Sequence, residues 1–217
     1  MWRIFAIDTS VRLDMSASNK QEESPPMRKS ASTNAAPFLS DSNTLIRNFG
    51  LALIGSCLLT LSSYLSVPMV PVPITMQTLA VTLIGALYGW RLGFATVVFW
   101  LAQGAMGLPV FAGGASGLPA FMGPTAGYLV AFPFAAAATG WLIQGAKVGK
   151  PILAMSAMLI GNAICLLGGL VWLSTFTGLG QAFVLGVAPF IPGAVIKSIM
   201  GVAALRLVYE IGRARLK

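Results

Sequence analysis

Lys197 is a lone charge in the last apolar run of the chain, and between Asp41 and Glu210 there is no acidic residue to answer it. A charge at membrane depth is costly and marks a substrate or ion path more often than not. The chemistry open to Lys197 is capture: an ammonium without an internal counter-ion can hold a carboxylate or a polarised carbonyl. The competing role is snorkelling. Lys197 stands nine residues before Arg206, about 13 Å inward along a helix, and its stem can also extend to a headgroup region at the uncharged rim a turn or two away. Two amides share the apolar part of the chain. Gln77 ends the run Val70-Pro71-Val72-Pro73-Ile74-Thr75-Met76-Gln77, where the prolines force an extended entry and Thr75 can cap a helix start. Asn162 lies in mid-segment. Each amide can bind a ligand or hydrogen-bond a neighbouring helix.

The segment from Gly104 to Tyr128 is rich in glycine and proline and carries no charge, with Gly113, Gly114 and Gly127 among its glycines and Pro109, Pro119 and Pro124 between them. Glycine permits positive φ and close backbone approach, while proline stiffens the same path. Leu108, Val110, Phe111, Leu118, Phe121 and Met122 make it too apolar for a solvated loop. The combination predicts a lid folded back into the protein and offering backbone N–H and C=O groups to a ligand, with a purely structural loop as the alternative. It is not a phosphate cradle of the P-loop kind, because Gly113-Gly114-Ala115-Ser116-Gly117 lacks the Gly-Lys-Ser/Thr ending.

Composition narrows the field. Of 217 residues, 56% are hydrophobic and 9% charged, with a mean hydropathy of +0.81. A soluble domain carries about 25% charged residues, so the chain reads as a lipid-embedded helical bundle whose backbone groups are satisfied within each span. The net charge of +8 sits at the ends of apolar runs rather than in a patch, which argues against nucleic acid as a partner. There is no histidine, which removes the commonest general base and metal ligand. Cys57 and Cys165 read as buried small hydrophobes. An intramembrane enzyme would have only Lys197 as a nucleophile, and no cofactor is implied.

The elements that must position these groups are six apolar segments, near 45–65, 75–90, 93–106, 125–145, 151–175 and 188–206. The second and third are short against the ~20 residues of a straight span. Arg91 lies between segments two and three, Lys147 and Lys150 between four and five, and Arg206, Arg213, Arg215 and Lys217 follow segment six. The other connections carry no charge. Alternation of basic and uncharged connections predicts six spans with both termini in the cytoplasm. Gly85, Gly89 and Gly93, and likewise Ala52 and Ser56, recur four apart and predict close helix packing. Residues 1–40 mix charged residues with Ser, Asn and Pro and predict a disordered cytoplasmic tail, dispensable for binding. Residues 41–217 then form the membrane domain.

Pro71-Val72-Pro73-Ile74-Thr75-Met76-Gln77, Gly107-Leu108-Pro109-Val110-Phe111-Ala112-Gly113-Gly114 and Gly123-Pro124-Thr125-Ala126-Gly127-Tyr128, in this order, closely resemble the BioY family. Those proteins are the biotin-binding membrane components of energy-coupling-factor transporters, and the resemblance covers roughly residues 45–217. It implies an all-α, six-helix substrate-capture bundle in the bacterial cytoplasmic membrane. Biotin would bind near the outer side, under the loops after helices one and three. The site would draw on Lys197, Gln77, Asn162, Tyr128, Gly113, Gly114 and Gly127. A transmembrane coupling protein and ATPase subunits would be the partners, the first of them meeting the small face of helix one at Ala52 and Ser56. The chain departs from the resemblance at Ala194, where an Asp that would accept from the ureido N–H groups is expected. Backbone carbonyls, Gln77 or Asn162 remain as acceptors. A stand-alone facilitator or secondary transporter for biotin or another small carboxylate is the alternative function.

Overall fold

The computed structural model describes residues 44–144 and 151–214. The N-terminal tail, Lys147, Lys150 and the last three residues lie outside these. Helix α1 (Thr44–Tyr64) leads into a short hairpin of β1 (Ser66–Val67) and β2 (Ile74–Thr75), paired antiparallel, and then α2 (Gln77–Ala105). Two 3-10 turns, Ala112–Gly114 and Leu118–Phe121, precede α3 (Ala126–Gln144). Then come α4 (Pro151–Thr177), a short α5 (Leu179–Gly186) and α6 (Phe190–Ala214). Helices dominate because apolar runs of this length can satisfy their backbone groups internally. Five helices among the described residues are long and apolar enough to cross a membrane. Their outer faces, with Ile54 on α1, Val171 on α4 and Ile199 on α6 all more than half exposed, suit a hydrocarbon surround.

Helix α2 is one run of 29 residues only by hydrogen-bond continuity, because Gly89 within it has φ 80° and ψ 172°. A left-handed φ of this kind is cheap for glycine alone. The halves 77–88 and 90–105 double back on each other. Gly85 and Gly93 would be about 12 Å apart on a straight helix, yet a β-carbon on Gly93 would lie 3.0 Å from the Gly85 Cα. The three glycines therefore form a tight turn with its two flanks, not one stripe along a continuous helix. Arg91 is exposed beside this turn and stacks on Trp90, 5.0 Å from the ring centroid.

Helix α3 is the most enclosed spanning helix and packs on both α2 and α4. Its small residues allow this: a β-carbon on Gly140 would come within 2.6 Å of Gly85 O and Trp90 N. The face of α1 carrying Ala52 and Ser56 is also consumed inside the bundle. Both residues are buried, a β-carbon on Gly55 would meet Thr96 of α2 at 2.6 Å, and Ser56 Oγ donates to Gln103 Oε1. This corrects the expectation of a partner contact there, since four-residue spacing defines a face without saying what covers it. Cys165 is buried but Cys57 is exposed, because it falls on the outer side of α1. Helix α5 is not anticipated, since its eight residues lack the length of a span. Helix α6 runs a further two turns past Arg206.

Candidate functional site

A cavity of about 230 Å³ opens at the end of the bundle whose connections carry no charge. Its rim comes from Val72 and Pro73 of the hairpin and from Ala112, Ala115 and Ala120 of the loop before α3. Its walls are largely aromatic and aliphatic: Phe111, Phe132, Leu166 and Phe190. Its polar groups come from the start of α2, from α4 and from α6. A small, mostly apolar pocket with a few convergent polar groups is the usual form of a ligand site.

Lys197, 7% exposed, lines this cavity. Its Nζ donates to Thr75 O at 2.5 Å and to Thr78 Oγ1 at 3.3 Å. The side chain turns inward to the N-terminus of α2 instead of snorkelling to the rim. A helix N-terminus carries partial positive charge, so the ammonium has hydrogen bonds there but no electrostatic counterpart. Thr78, not singled out in the sequence, is its side-chain acceptor. The signal available was a hydroxyl in the first turn of a proline-led helix.

Gln77, 5% exposed, is held by its neighbour. Thr75 Oγ1 accepts from the Gln77 backbone N–H at 3.3 Å and donates to Gln77 Oε1 at 3.0 Å. Met76 occupies the N-cap position, so Thr75 acts one residue outside it. The Gln77 Nε2 is buried with no hydrogen-bond partner. Leaving such a donor unsatisfied costs about 1–3 kcal/mol. Asn162, 3% exposed, approaches from α4, its Nδ2 donating to Met158 O at 3.0 Å and Ser198 Oγ at 3.3 Å.

Tyr128 contributes its ring to the wall, 6.2 Å from the Phe190 ring centroid. Its hydroxyl is already committed, donating to Gly186 O at 2.6 Å and so fastening α5. Gly113, Gly114 and Gly127 do not line the cavity. Gly113 and Gly114 supply positive φ (67° and 76°) for a turn, while Gly127 lies against Gly168 and Trp172 of α4. The loop is folded back and fastened. Ser63 Oγ donates to Val110 O at 2.8 Å, Tyr64 Oη to Pro109 O at 2.6 Å and Trp172 Nε1 to Gly123 O at 2.9 Å. Phe111 sits edge-on to Trp100 and Phe121, with centroids 5.0 and 5.5 Å away. From this loop Phe111, Ala112, Ala115, Ala120, Gly123 and Thr125 line the cavity.

Residues 27–214 match the model of the BioY family. The chain belongs to the BioY family. It is 41% identical over 150 residues to the biotin transporter BioY of Rhizobium etli, a match covering 65% of this chain and 79% of that one. It is 34% identical over 170 residues to the biotin transporter BioY2 of Lactococcus lactis, covering 76% and 93%. Its structure is similar to the crystal structure of the S-component for biotin from an ECF-type ABC transporter. That match has a TM-score of 0.68 and 26% identity, covering 79% of this chain and 95% of that one. These BioY relatives are transport components, and this family member is a multi-pass membrane protein with their fold.

Proposed function

We propose that this chain captures biotin at the outer face of the cytoplasmic membrane as the substrate-specific component of an energy-coupling-factor transporter. The observation that carries the reading is the cavity itself. It brings one buried ammonium, Lys197, and two amide residues, Gln77 and Asn162, to an apolar pocket, with no carboxylate anywhere in 42–209. Biotin supplies what is missing: acceptor oxygens, an apolar bicyclic body for the Phe132 and Phe190 walls, and a negative charge. Lys197, Gln77 and Asn162 form the polar end, and Tyr128 forms part of the wall. A transmembrane coupling protein and ATPase subunits provide the energy. Equilibrium binding of biotin to the purified chain tests the reading, with saturable one-to-one binding expected and no binding decisive against it.

The two halves of α2 count as separate passes in this reading, giving six spans with both termini in the cytoplasm. Supporting it are the basic residues at alternate connections and the exposed Arg91 at the Gly89 turn. The cavity, at the uncharged end, then faces outward. Cysteine introduced at Ser116 is expected to react with an impermeant thiol reagent on intact cells, in a Cys57→Ser background. Cysteine introduced at Gly149 is expected to react only after permeabilisation. Labelling at Gly149 alone in intact cells would invert the topology.

A further inference from the structure

The loop between α2 and α3 carries large apolar side chains that the described residues leave uncovered. Met106 is 78% exposed, Leu118 66%, Met122 71% and Leu108 47%. Exposed apolar side chains grouped in this way mark a surface that meets protein or membrane. They form two shoulders, 106–108 and 118–122, on either side of a stretch, 112–117, with no side chain larger than that of Ser116. No charge lies between Arg91 and Lys147 to hold the loop in water. Both shoulders are pinned down to the helices. Tyr64 Oη of α1 donates to Pro109 O at 2.6 Å, and the Gly117 N–H donates to Gly104 O, in the last turn of α2, at 2.7 Å. On the other side Trp172 Nε1 of α4 donates to Gly123 O at 2.9 Å.

Depth decides what covers the shoulders. The exposed Arg91, stacked on Trp90 beside the Gly89 turn, marks one edge of the hydrocarbon, since cations and Trp gather at headgroup level. From that turn residues 90–105 rise about 24 Å as a helix. Helix α3 ends at the same turn, where a β-carbon on Gly89 would strike the Gln144 side chain. Its 19 residues rise about 28 Å. The hydrocarbon core is about 30 Å thick, and any tilt lowers both heights. The loop therefore begins and ends short of the far edge. Its Met122 shoulder also joins the lipid-facing side of α4, because Gly123 is held by Trp172 and the adjacent Val171 is 68% exposed. We infer that Met106, Leu108, Leu118 and Met122 dip into the lipid leaflet at the uncharged end of the bundle. Lipid then covers the loop from its flanks, while Ala112 and Ala115 between the shoulders line the cavity. This rests on the two halves of α2 being separate passes.

The test is fluorescence quenching on the full chain in phosphatidylcholine nanodiscs, which leave both membrane faces open to solute. Single cysteines replace Met106, Leu118 or Met122 in a Cys57→Ser background and carry a bimane label; the remaining Cys165 is buried. All three positions are exposed, so the label displaces no packed side chain. Val171→Cys gives the reference for lipid, and Glu210→Cys, exposed past Arg206 on α6, the reference for water. The quenchers are a doxyl-labelled phosphatidylcholine in the disc and iodide in the buffer. The three loop probes are expected to follow Val171, losing several-fold more emission to the doxyl lipid than to iodide. The inference is overturned if they follow Glu210, because the shoulders would then stand in water. It is equally overturned if neither quencher reaches them, because protein, such as a second copy of this chain, would then cover them. A Val171 probe that escapes the doxyl lipid would instead remove the membrane placement beneath the inference.

Discussion

Gly85→Val is expected to destabilise the folded chain by about 3 kcal/mol or more, the upper part of the range for overpacking. The first carbon of any side chain at Gly85 would lie 2.9 Å from both Ala136 C and Cα, and closer still to the carbonyl oxygen. The obstacle is the backbone of the most enclosed helix, which has no rotamer to change. The same contact region holds Gly93 on the other half of α2 and Gly140 one turn along α3. A shift at Gly85 therefore propagates to both halves of α2 and to α3. Gly50→Ala is the control, since nothing lies within 4 Å of a β-carbon there and alanine is the better helix former. Thermal unfolding in detergent is expected to show a large fall for Gly85→Val and no fall for Gly50→Ala. Equal midpoints would mean that α2 and α3 do not pack through glycine.

The sequence speaks most clearly where free energy leaves little choice. Lys197, Gln77 and Asn162 are legible because polar groups in an acid-free, apolar stretch must be offset by something, and all three do meet at one cavity. The break between the second and third segments is legible from Arg91 and the adjacent glycines. Glycines of the loop are not legible in the same way. Gly113 and Gly114 look alike whether they cradle a ligand or merely turn the chain, and their positive φ serves the second purpose. Tyr128 lines the cavity, but nothing in its spacing reveals that its hydroxyl is spent on Gly186. Nor can a four-residue repeat say which surface covers it, so Ala52 and Ser56 face α2 instead of a partner. Thr78 and the aromatic walls become visible only once the hairpin, the loop and α6 converge.

Lys197→Met is expected to weaken biotin binding by roughly one to two orders of magnitude, the worth of a charge-assisted hydrogen bond of about 1.5–3 kcal/mol. Methionine keeps an unbranched apolar stem, so the loss reports the ammonium and not the packing. If Lys197 holds the ureido oxygen, biotin and biotin amide should weaken together, because both carry the same ring. If it holds the carboxylate, wild type should prefer biotin over the amide and the Met variant should bind them alike. Stability without ligand should move the other way. Lys197 is buried with two neutral acceptors, Thr75 O and Thr78 Oγ1, beside the positive end of α2, and a buried cation without an anion is a net cost to the fold. Removing it should leave the ligand-free unfolding midpoint unchanged or raised. The increment that saturating biotin adds should shrink with the lost affinity, since a ligand stabilises only the state it binds. A Met variant that binds biotin as wild type does would mean that the ammonium serves only the start of α2, and the capture role would pass to Gln77 and Asn162 alone.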